Sequence, residues 1–245
     1  MDAIILAAGV GARLGDMQEK LPKALLSFGG KTLLQRHLEI LRGAGIERVT
    51  IVTGYRNDVI DAEIARIGAA GFVRTVLNPR FTLGSVVSMW SAREALLAGR
   101  DVIFMDADVL YDKRLMQRLV ETKHANCFLL DRDIEPGEEP VKLCMKDGVI
   151  VDFGKIVERP YDLHGESVGF FRFDADMCRR LMSRADDYVA GDRAREMYEE
   201  VIRDMARVMP NRFGYEDVTG LPWIEIDFPQ DVERATREIL PALIA

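Results

Sequence analysis

The sequence contains few cysteines and histidines, three of each in 245 residues. Cys127, Cys144 and Cys178 stand far apart, and an odd, scattered set is typical of reduced thiols rather than of a disulfide framework. No two cysteines form a Cys-x-x-Cys pair, and the histidines lack the spacing of zinc ligands, which argues against a structural zinc site. We therefore expect a cytoplasmic protein with free thiols.

Long apolar runs and an excess of positive charge are also absent. No run approaches the roughly 18 apolar residues of a membrane span, and the N-terminal residues MDAIILAAG lack the basic segment of a signal peptide. Acidic residues outnumber basic ones by 40 to 33, which gives a net charge of −7. Because nucleic acids bind basic surfaces, we expect neither a nucleic-acid partner nor a membrane partner.

What the sequence does contain is the composition of a folded chain, with 48% hydrophobic and 30% charged residues. It has no internal repeat, and no linker is rich enough in glycine, serine or proline to separate two units. We therefore predict a single domain over residues 1–245. The sequence leaves the oligomeric state open, with a homodimer as one option.

The first half of the chain alternates between short apolar runs and amphipathic segments. Strands are predicted at residues 3–7, 49–52, 72–77, 102–105 and 125–130, and helices at residues 32–42, 59–67, 85–97 and 113–122. This alternation is typical of parallel βαβ units. Strands that are apolar at every position are usually covered on both faces. The pattern predicts an α/β fold with three α/β/α layers around a mostly parallel, Rossmann-like sheet.

The pattern changes between residues 131 and 173, which we predict to be a small antiparallel insertion. An acidic, turn-rich segment precedes two apolar runs, residues 141–145 and 149–153, and the Asp147-Gly148 dipeptide between them favours a tight hairpin turn. Beyond a strand at residues 168–173, we predict helices at 175–188 and 195–209. A strand at 223–228 and a helix opened by Pro229 complete the chain.

A glycine-rich segment, LAAGVGARLG at residues 6–15, follows the first predicted strand. Such a turn exposes backbone N–H groups that can hold a phosphate. The segment does not match the Walker pattern, and Leu14 stands where the dinucleotide fingerprint needs a glycine. On its residues alone it is either an ordinary tight turn or a phosphate-binding loop, and the cations Arg13 and Lys23 on its two sides favour the loop.

Two pairs of carboxylates follow predicted strands. Asp106 and Asp108 come after the strand at 102–105, and Glu225 and Asp227 end the last strand. In an open α/β sheet, ligands bind beyond the carboxyl ends of the strands, and Mg²⁺ prefers one or two carboxylates together with substrate phosphates. Asp106 and Asp108 taken alone are equally typical of a loop that begins a helix. The second pair favours a metal site.

At this point the sequence resembles a known family. The motif LAAGxGxRL at residues 6–14, followed by Pro22-Lys23, is similar to the N-terminal signature of nucleotidyltransferases that make nucleoside-diphosphate sugars and alcohols. The likeness runs through the whole chain and is greatest to the phosphocholine cytidylyltransferase branch. It rests there on Tyr55 in VTGY, residues 78–91, Asp108 in DADV, Lys155 in GKI, Gly165-Glu166, and WIEID at 223–227.

The resemblance implies a role for particular residues. The implied catalytic residues are Arg13, Lys23, Asp108 and Asp227. Asp108 and Asp227 would hold Mg²⁺ with Glu225 nearby, and Asp106 is a weaker candidate. Lys155 and Glu166 would bind the acceptor. The implied nucleotide-binding residues are Leu6, Ala7, Ala8, Gly9, Gly11, Ala12 and Arg13, with Gly84 and Ser85 near the base.

The reaction that the resemblance implies joins CTP and a small phosphorylated alcohol, such as phosphocholine or a phosphonate, into a CDP-alcohol with release of pyrophosphate. A phosphate monoester has a second pKa of about 6, so it attacks without a general base. A quaternary ammonium acceptor would need aromatic rings, for which Phe153, Tyr161, Tyr215 and Trp223 are available. Two alternatives stay open: a sugar-1-phosphate nucleotidyltransferase, and a catalytically inactive nucleotide-binding regulatory subunit.

Overall fold

The computed structural model describes residues 1–17, 21–134 and 140–244. Its strands are β1 Asp2–Ala7, β2 Ser27–Phe28, β3 Lys31–Thr32, β4 Arg48–Thr53, β5 Val73–Leu77, β6 Val102–Asp106, β7 Val109–Tyr111, β8 Cys127–Asp131, β9 Lys142–Lys146, β10 Val149–Gly154, β11 Leu163–Phe173, β12 Gly214–Asp217 and β13 Trp223–Glu225. Its α-helices are α1 Leu33–Gly43, α2 Asn57–Arg66, α3 Ser85–Ser91, α4 Arg93–Leu96, α5 Lys113–Glu121, α6 Ala175–Ala190, α7 Tyr198–Val208, α8 Pro229–Arg234 and α9 Leu240–Ala242. Short 3₁₀ helices lie at Ala12–Met17, Lys23–Leu25 and Pro210–Arg212, and Ala235–Ile239 is π-helical.

The central sheet has the strand order β10-β9-β11-β6-β1-β4-β5, with β8 and β12 joined beside β11. Strands β6, β1, β4 and β5 are mutually parallel, and β12 runs parallel to β8. Strands β9, β10 and β11 lie within the predicted insertion and pair antiparallel, β10 with β9 and β9 with β11, and β11 also runs antiparallel to β6 and β8. Together with the fold comparisons given below, this confirms the prediction of a mostly parallel three-layer α/β/α fold.

Strand β1 is apolar at nearly every position because it is buried on both faces. Ile4 and Leu6 pack into a core with α3, α6 and α7, whereas Ala3, Ile5 and Ala7 pack into a second core with α1, α2 and α5. Successive side chains of a strand point to opposite faces, so one short segment serves both layers.

The predicted element types are confirmed, while several boundaries move. The predicted helix at 85–97 divides at Ala92 into α3 and α4, and the predicted strand at 223–228 ends at Glu225. The hairpin turn is confirmed, since Asp147 and Gly148 have φ values of 52° and 76°. Strands β2, β3, β7 and β12 were not predicted, because two to four residues carry too little periodicity.

The parallel strands place three loops at one edge of the sheet. In the strand register, Leu6 of β1 lies beside Asp106 of β6, and Ala7 lies beside Thr53 of β4. The glycine-rich segment, the acidic segment after β6 and the Gly54-Tyr55 segment after β4 therefore begin side by side. Within the described ranges, none of the helices combines the length and apolarity needed to cross a membrane.

Candidate active site

Three of the predicted carboxylates converge. Asp108, Glu225 and Asp227 each offer an oxygen, and these atoms lie within 4.8 Å of one another. The contact depends on a small ribbon, in which β13 pairs antiparallel with β7 and Glu225 lies opposite Val109. The N–H of Ile226 also donates to the carbonyl of Asp108 at 2.9 Å. The ribbon thus brings acids from two distant stretches of the chain to one place.

Lys23 lies between two of these acids. Its Nζ donates to Oδ2 of Asp108 at 2.9 Å and to Oδ1 of Asp227 at 2.6 Å. Burial acts to lower the pKa of Lys23, but the charges of Asp108 and Asp227 outweigh this effect and raise the pKa above its usual value. Lys23 is therefore a fixed positive charge in the middle of the acidic cluster.

Arg13 reaches the same cluster from the glycine-rich segment. Its guanidinium contacts Oδ2 of Asp227 at 3.2 Å and lies over the ring of Phe228, 5.6 Å from the ring centroid. The side chain of Arg13 is 47% exposed, so it can reach a bound ligand without losing a buried partner. The four residues implied to be catalytic, Arg13, Lys23, Asp108 and Asp227, thus form one connected group.

The donor chemistry of the cluster suits a divalent cation. Asp108, Glu225 and Asp227 provide hard carboxylate oxygens, as Mg²⁺ requires. Glu225 faces the cleft but is partly desolvated by the surrounding protein atoms. This desolvation, together with the negative charges of Asp108 and Asp227, raises the pKa of Glu225 to about 8. Such crowding of negative charge is relieved by a bound cation.

Asp106 is held apart from the cluster. Its Oδ2 accepts a hydrogen bond from the hydroxyl of Tyr198 at 2.5 Å. Among the described residues, the group able to hold a metal consists of the other three acids and excludes Asp106. Burial, reinforced by the charges of Asp108 and Glu199, raises the pKa of Asp106. This side chain therefore acts as a partner of Tyr198.

The glycine-rich segment changes from buried to exposed along its length. Leu6, Ala7 and Ala8 are buried, whereas Gly9, Ala12 and Arg13 are exposed and Gly11 is half-exposed. The carbonyl of Ala8 accepts from the N–H of Tyr55 at 3.1 Å, which ties the segment to the loop after β4. Leu14 is buried against a separate core that contains Ile224. The exposed backbone between these two anchors is the part that can face a phosphate, and its contact with nucleotide stays a prediction.

Gly84 is the N-cap of α3, and Ser85 is its first residue. The N–H of Gly84 donates to the carbonyl of Ala194 at 3.0 Å, and Oγ of Ser85 accepts from the N–H of Tyr198 at 2.9 Å. A Cβ at position 84 would lie 2.0 Å from the carbonyl oxygen of Glu196. These two residues hold the start of α7 in place, and their contact with the base stays a prediction.

A cleft of about 610 Å³ opens beside the cluster. Lys155 and Glu166, the predicted acceptor-binding residues, line it together with Arg13, Glu225 and Asp227. The structure thus brings the predicted acceptor residues to the same cleft as the predicted catalytic ones. Of the four aromatic candidates, Phe153 and Trp223 line the cleft, whereas Tyr161 packs against His164 and Tyr215 packs against the core.

Sequence reasoning missed Tyr198 and Glu199, which also line the cleft. One carboxylate oxygen of Glu199 is buried and has no hydrogen-bond partner among the described residues. Burial raises the pKa of Glu199 to about 7. Both residues begin α7, and neither stands in a motif, so only the tertiary structure could have revealed them.

Residues 3–150 match the MobA-like NTP transferase domain, which is more than half of the chain. The chain belongs to the MobA-like NTP transferase family. This confirms the resemblance to nucleotidyltransferases that the motif at residues 6–14 carried, and with it the prediction of an enzyme of the nucleotidyltransferase class.

Three curated proteins are similar to this nucleotidyltransferase over nearly its whole length. It is 26% identical over 247 residues to CMP-5'-(3-aminopropyl)phosphonate synthase from Streptomyces rubellomurinus, covering 98% of this chain and 39% of that protein. It is 25% identical over 252 residues to CTP:phosphoglutamine cytidylyltransferase from Campylobacter jejuni, covering 95% and 98% of the two chains. It is 28% identical over 247 residues to choline-phosphate cytidylyltransferase from Streptococcus pneumoniae, covering 98% of each. The chain thus spans well under half of the Streptomyces protein.

Solved structures support the fold. The chain matches CTP:phosphocholine cytidylyltransferase from Streptococcus pneumoniae with a TM-score of 0.77 at 23% identity, over 96% of this chain and 97% of that one. It also matches the inositol-1-phosphate CTP transferase from T. maritima with a TM-score of 0.75 at 20% identity, over 100% and 98%. At these identities the likeness establishes the nucleotidyltransferase fold.

Proposed function

We propose that this nucleotidyltransferase is a Mg²⁺-dependent cytidylyltransferase. It would transfer CMP from CTP to a small phosphorylated or phosphonate compound that carries a positively charged nitrogen, such as phosphocholine. The observation that carries the proposal is the convergence of Arg13, Lys23, Asp108 and Asp227 beside the 610 Å³ cleft, which Arg13 and Asp227 line. The relatives named above support the choice of substrates, since by name one is a choline-phosphate cytidylyltransferase and another is a synthase of CMP-5'-(3-aminopropyl)phosphonate.

The proposed chemistry is an in-line displacement. A phosphate or phosphonate oxygen of the acceptor forms a bond to the α-phosphorus of CTP, and the bond from that phosphorus to the pyrophosphate oxygen breaks. Lys23 would neutralise charge between the α-phosphate and the acceptor. Arg13 and the backbone N–H groups of residues 9–13 would hold the β- and γ-phosphates as pyrophosphate leaves. Positioning and charge neutralisation are the main contributions that a protein makes to this kind of reaction.

Mg²⁺, held by Asp108 and Asp227 with Glu225 nearby, would supply Lewis-acid stabilisation of the phosphate oxygens. The three carboxylates fit this role because their oxygens lie within 4.8 Å of one another. Lys23 already neutralises part of their charge. With Arg13 and Lys23 as its positive charges, the cluster of three carboxylates keeps an excess of negative charge that would attract the cation.

The cleft wall favours a cationic acceptor. Eight acidic residues line the cleft against three basic ones, Arg13, Lys155 and Arg234. Trp223 is half-exposed at this wall and is oriented by its Nε1, which donates to Asp131 at 2.7 Å. A quaternary or primary ammonium group binds ring faces and carboxylates, and Glu199, on which the charge of Lys155 also acts, is a carboxylate that lines this cleft. Lys155 would meet the acceptor phosphate.

The test is pyrophosphate release with purified protein and Mg²⁺, with each of the four nucleoside triphosphates against a panel of acceptors. The sharpest pair is phosphocholine and 3,3-dimethylbutyl phosphate, which differ in a quaternary nitrogen replaced by carbon. We expect CTP with phosphocholine or an aminoalkylphosphonate to give the highest kcat/KM, at least about tenfold above the neutral analogue, because a desolvated cation–π contact contributes about 2 kcal/mol.

Other outcomes would contradict the proposal. Equal rates with phosphocholine and its neutral analogue would contradict the proposal that the acceptor is recognised by its positive charge. Greater activity with glucose 1-phosphate than with phosphocholine or an aminoalkylphosphonate would favour a sugar-1-phosphate nucleotidyltransferase. Binding of nucleotide without pyrophosphate release from any acceptor would favour a regulatory subunit.

A further inference from the structure

The segment of residues 226–228 joins β13 to α8 and belongs to neither element. Its backbone N–H groups therefore have no partner in a strand ladder or a helix and need other acceptors. Two of its side chains belong to the proposed site, since Asp227 is one of the clustered carboxylates and Arg13 lies over the ring of Phe228. Whatever fixes the backbone of this segment also fixes both side chains.

Acceptors from two other places in the chain hold the segment. The carbonyl of Asp108 accepts from the N–H of Ile226 at 2.9 Å. Oδ2 of Asp231 accepts from the N–H of Asp227 at 2.9 Å and from the N–H of Phe228 at 2.7 Å. A carboxylate is a stronger acceptor than a neutral carbonyl. All three successive N–H groups are thus satisfied, two of them by a single carboxylate oxygen.

Asp231 is itself anchored. It is the third residue of α8, and its own N–H donates to the carbonyl of Phe228 at 3.0 Å. This exchange of hydrogen bonds between the residue before a helix and the third residue within it is a capping box. The next residue, Val232, packs against the small core that contains Ile226. The carboxylate of Asp231 is therefore held on both the helix side and the core side of the segment that it fixes.

Asp231 lies beside the carboxylate cluster without joining it. It is half-buried and lines the cleft. Among the described residues, the group able to hold a metal consists of Asp108, Glu225 and Asp227 and does not include Asp231. Residues that orient metal ligands by hydrogen bonds matter for binding, and their loss typically weakens metal affinity or activity by about 10- to 100-fold. The mechanism given above assigns no task to this acid.

We propose that Asp231 is a positioning residue of the metal site. It fixes the backbone of Asp227 and Phe228, so that the Asp227 carboxylate stays beside those of Asp108 and Glu225 and the ring of Phe228 stays beneath Arg13. This task needs an acceptor oxygen at position 231 and not a negative charge. The inference rests on the metal site proposed above, and the experiment separates the failure of one from the failure of the other.

The test measures Mg²⁺ binding to the full chain by calorimetry at constant ionic strength. Asp231→Ala removes both the acceptor and the charge, whereas Asp231→Asn removes the charge and keeps an amide oxygen that can accept both N–H groups. We expect Asp231→Ala to bind Mg²⁺ at least about tenfold more weakly than the wild type, and Asp231→Asn to recover most of that loss. Glu233→Ala is the control, because it removes an exposed acid from the same helix, and it should bind like the wild type.

A kinetic measurement separates positioning from general damage to the fold. In Asp231→Ala, the Mg²⁺ concentration that gives half-maximal pyrophosphate release should rise more than the KM for the acceptor, because the segment carries a metal ligand. Damage spread over the whole fold would not select the metal. Urea unfolding without Mg²⁺ checks that each variant is folded. If Asp231→Ala does not fold, Asp231→Ser takes its place, since its shorter hydroxyl can accept only one of the two N–H groups, and it should bind Mg²⁺ more weakly than Asp231→Asn.

Asp227→Asn makes the outcomes distinguishable. If it loses Mg²⁺ binding while Asp231→Ala binds like the wild type, the positioning role is overturned and the metal site stands. Equal losses in Asp231→Asn and in Asp231→Ala, or in Asp231→Ser where that variant replaces it, would assign the effect to charge and would also overturn the positioning role. If Asp227→Asn binds Mg²⁺ like the wild type, the metal site fails and the positioning role fails with it.

Discussion

At the scale of single residues, two buried side chains show how the surroundings decide what a titratable group does. Lys23 and His37 are both enclosed, and burial acts to lower the pKa of each. Lys23 stays charged because two carboxylates surround it, with Nζ to oxygen distances of 2.9 and 2.6 Å. His37 lies against Tyr111 and Phe170 and stays neutral. The same physical effect therefore leaves one group as a fixed charge and the other as a core residue.

Lys23→Ala should lower the turnover of the proposed transfer reaction by about 10²- to 10³-fold, as is typical when one stabilising charge is removed from a reacting centre. Lys31→Ala is the matched control, because the Lys31 ammonium pairs with Glu39 on the surface. The measurement is the rate of pyrophosphate release at saturating substrates, with circular dichroism to check folding. Turnover in Lys23→Ala close to that of Lys31→Ala would contradict the role of Lys23.

His37→Leu should change the pH dependence of stability. Burial lowers the pKa of His37 from 6.5 to about 3, an effect that the nearby carbonyls of Ala107 and Val109 offset only in part. Neither ring nitrogen meets the geometry of a hydrogen bond to any described residue. Between about pH 6.5 and pH 3, His37 is therefore protonated in the unfolded chain and neutral in the folded chain. Because the unfolded chain binds one more proton, the free energy of unfolding falls by about 1.4 kcal/mol for each pH unit that the pH is lowered through this range.

This part of the pH dependence should be missing from His37→Leu, and the variant should be more stable than the wild type at pH 5. Urea unfolding between pH 4 and pH 8 measures the effect. His124→Gln, which changes an exposed imidazole, is the control. A wild type and a His37→Leu variant with parallel pH profiles would show that His37 is not kept neutral by the fold.

At the scale of elements, a buried ion network fixes the loop that follows β10. Asp152 is fully buried and accepts from Nε of Arg203 at 2.8 Å and from Nε of Arg207 at 2.9 Å. It also accepts from the N–H of Glu158 at 2.8 Å, and Arg203 donates to the carbonyl of Ile156 at 2.7 Å. Burial acts to raise the pKa of Asp152, but these donors outweigh it and hold the pKa below its usual range. The loop beginning at residue 155 is thereby fixed to α7.

Asp152→Asn should lower the free energy of unfolding by about 3 kcal/mol, because it leaves the buried guanidinium of Arg203 and the half-buried guanidinium of Arg207 without their shared charge partner. Since the loop begins with Lys155, the KM for the acceptor should rise more than the KM for CTP. Urea unfolding and initial rates measure the two effects. Asp186→Asn is the control, because its carboxylate pairs with Arg93 at the surface and such pairs contribute only about 0–1 kcal/mol. Equal effects on both KM values would contradict the positioning role.

At the scale of the whole molecule, the acidic cluster exists only when the chain is folded. Lys23 and Asp227 are 204 residues apart in sequence and 2.6 Å apart in the structure. A divalent cation that binds the cluster therefore binds the folded state and not the unfolded chain. Ligands of this kind stabilise a protein by an amount that grows with their concentration.

At 100 times its dissociation constant, Mg²⁺ should stabilise the folded wild type by about 2.7 kcal/mol and thereby raise its unfolding temperature. Asp227→Asn should lose most of this increase, and removal of the ion with a chelator should stop pyrophosphate release. Differential scanning calorimetry at constant ionic strength measures the shift. Asp133→Asn is the control, since Asp133 lines the cleft outside the cluster. An equal Mg²⁺ response in Asp133→Asn and Asp227→Asn would exclude the cluster as the metal site.

The sequence by itself determined which segments form helices and strands and where the candidate catalytic residues stand relative to them. Apolar runs are local features, so β1, β4 and β6 could be predicted, as could the glycine-rich segment that carries Arg13. The spacing of Asp106 and Asp108 at the end of β6 is also local. The sequence could not show that Asp106 and Asp108 have different roles. That difference depends on the hydrogen bond from Tyr198 to Asp106, and these two residues lie 92 positions apart in the sequence.

Only the tertiary structure decided which side chains meet. The ribbon of β7 and β13 joins two three-residue strands far apart in the chain, and pairing of such short segments leaves no periodic signal in either one. The same limit explains why Glu199 at the start of α7 was not predicted. Whether a polar group is satisfied depends on neighbours that the fold supplies, and no local pattern records them.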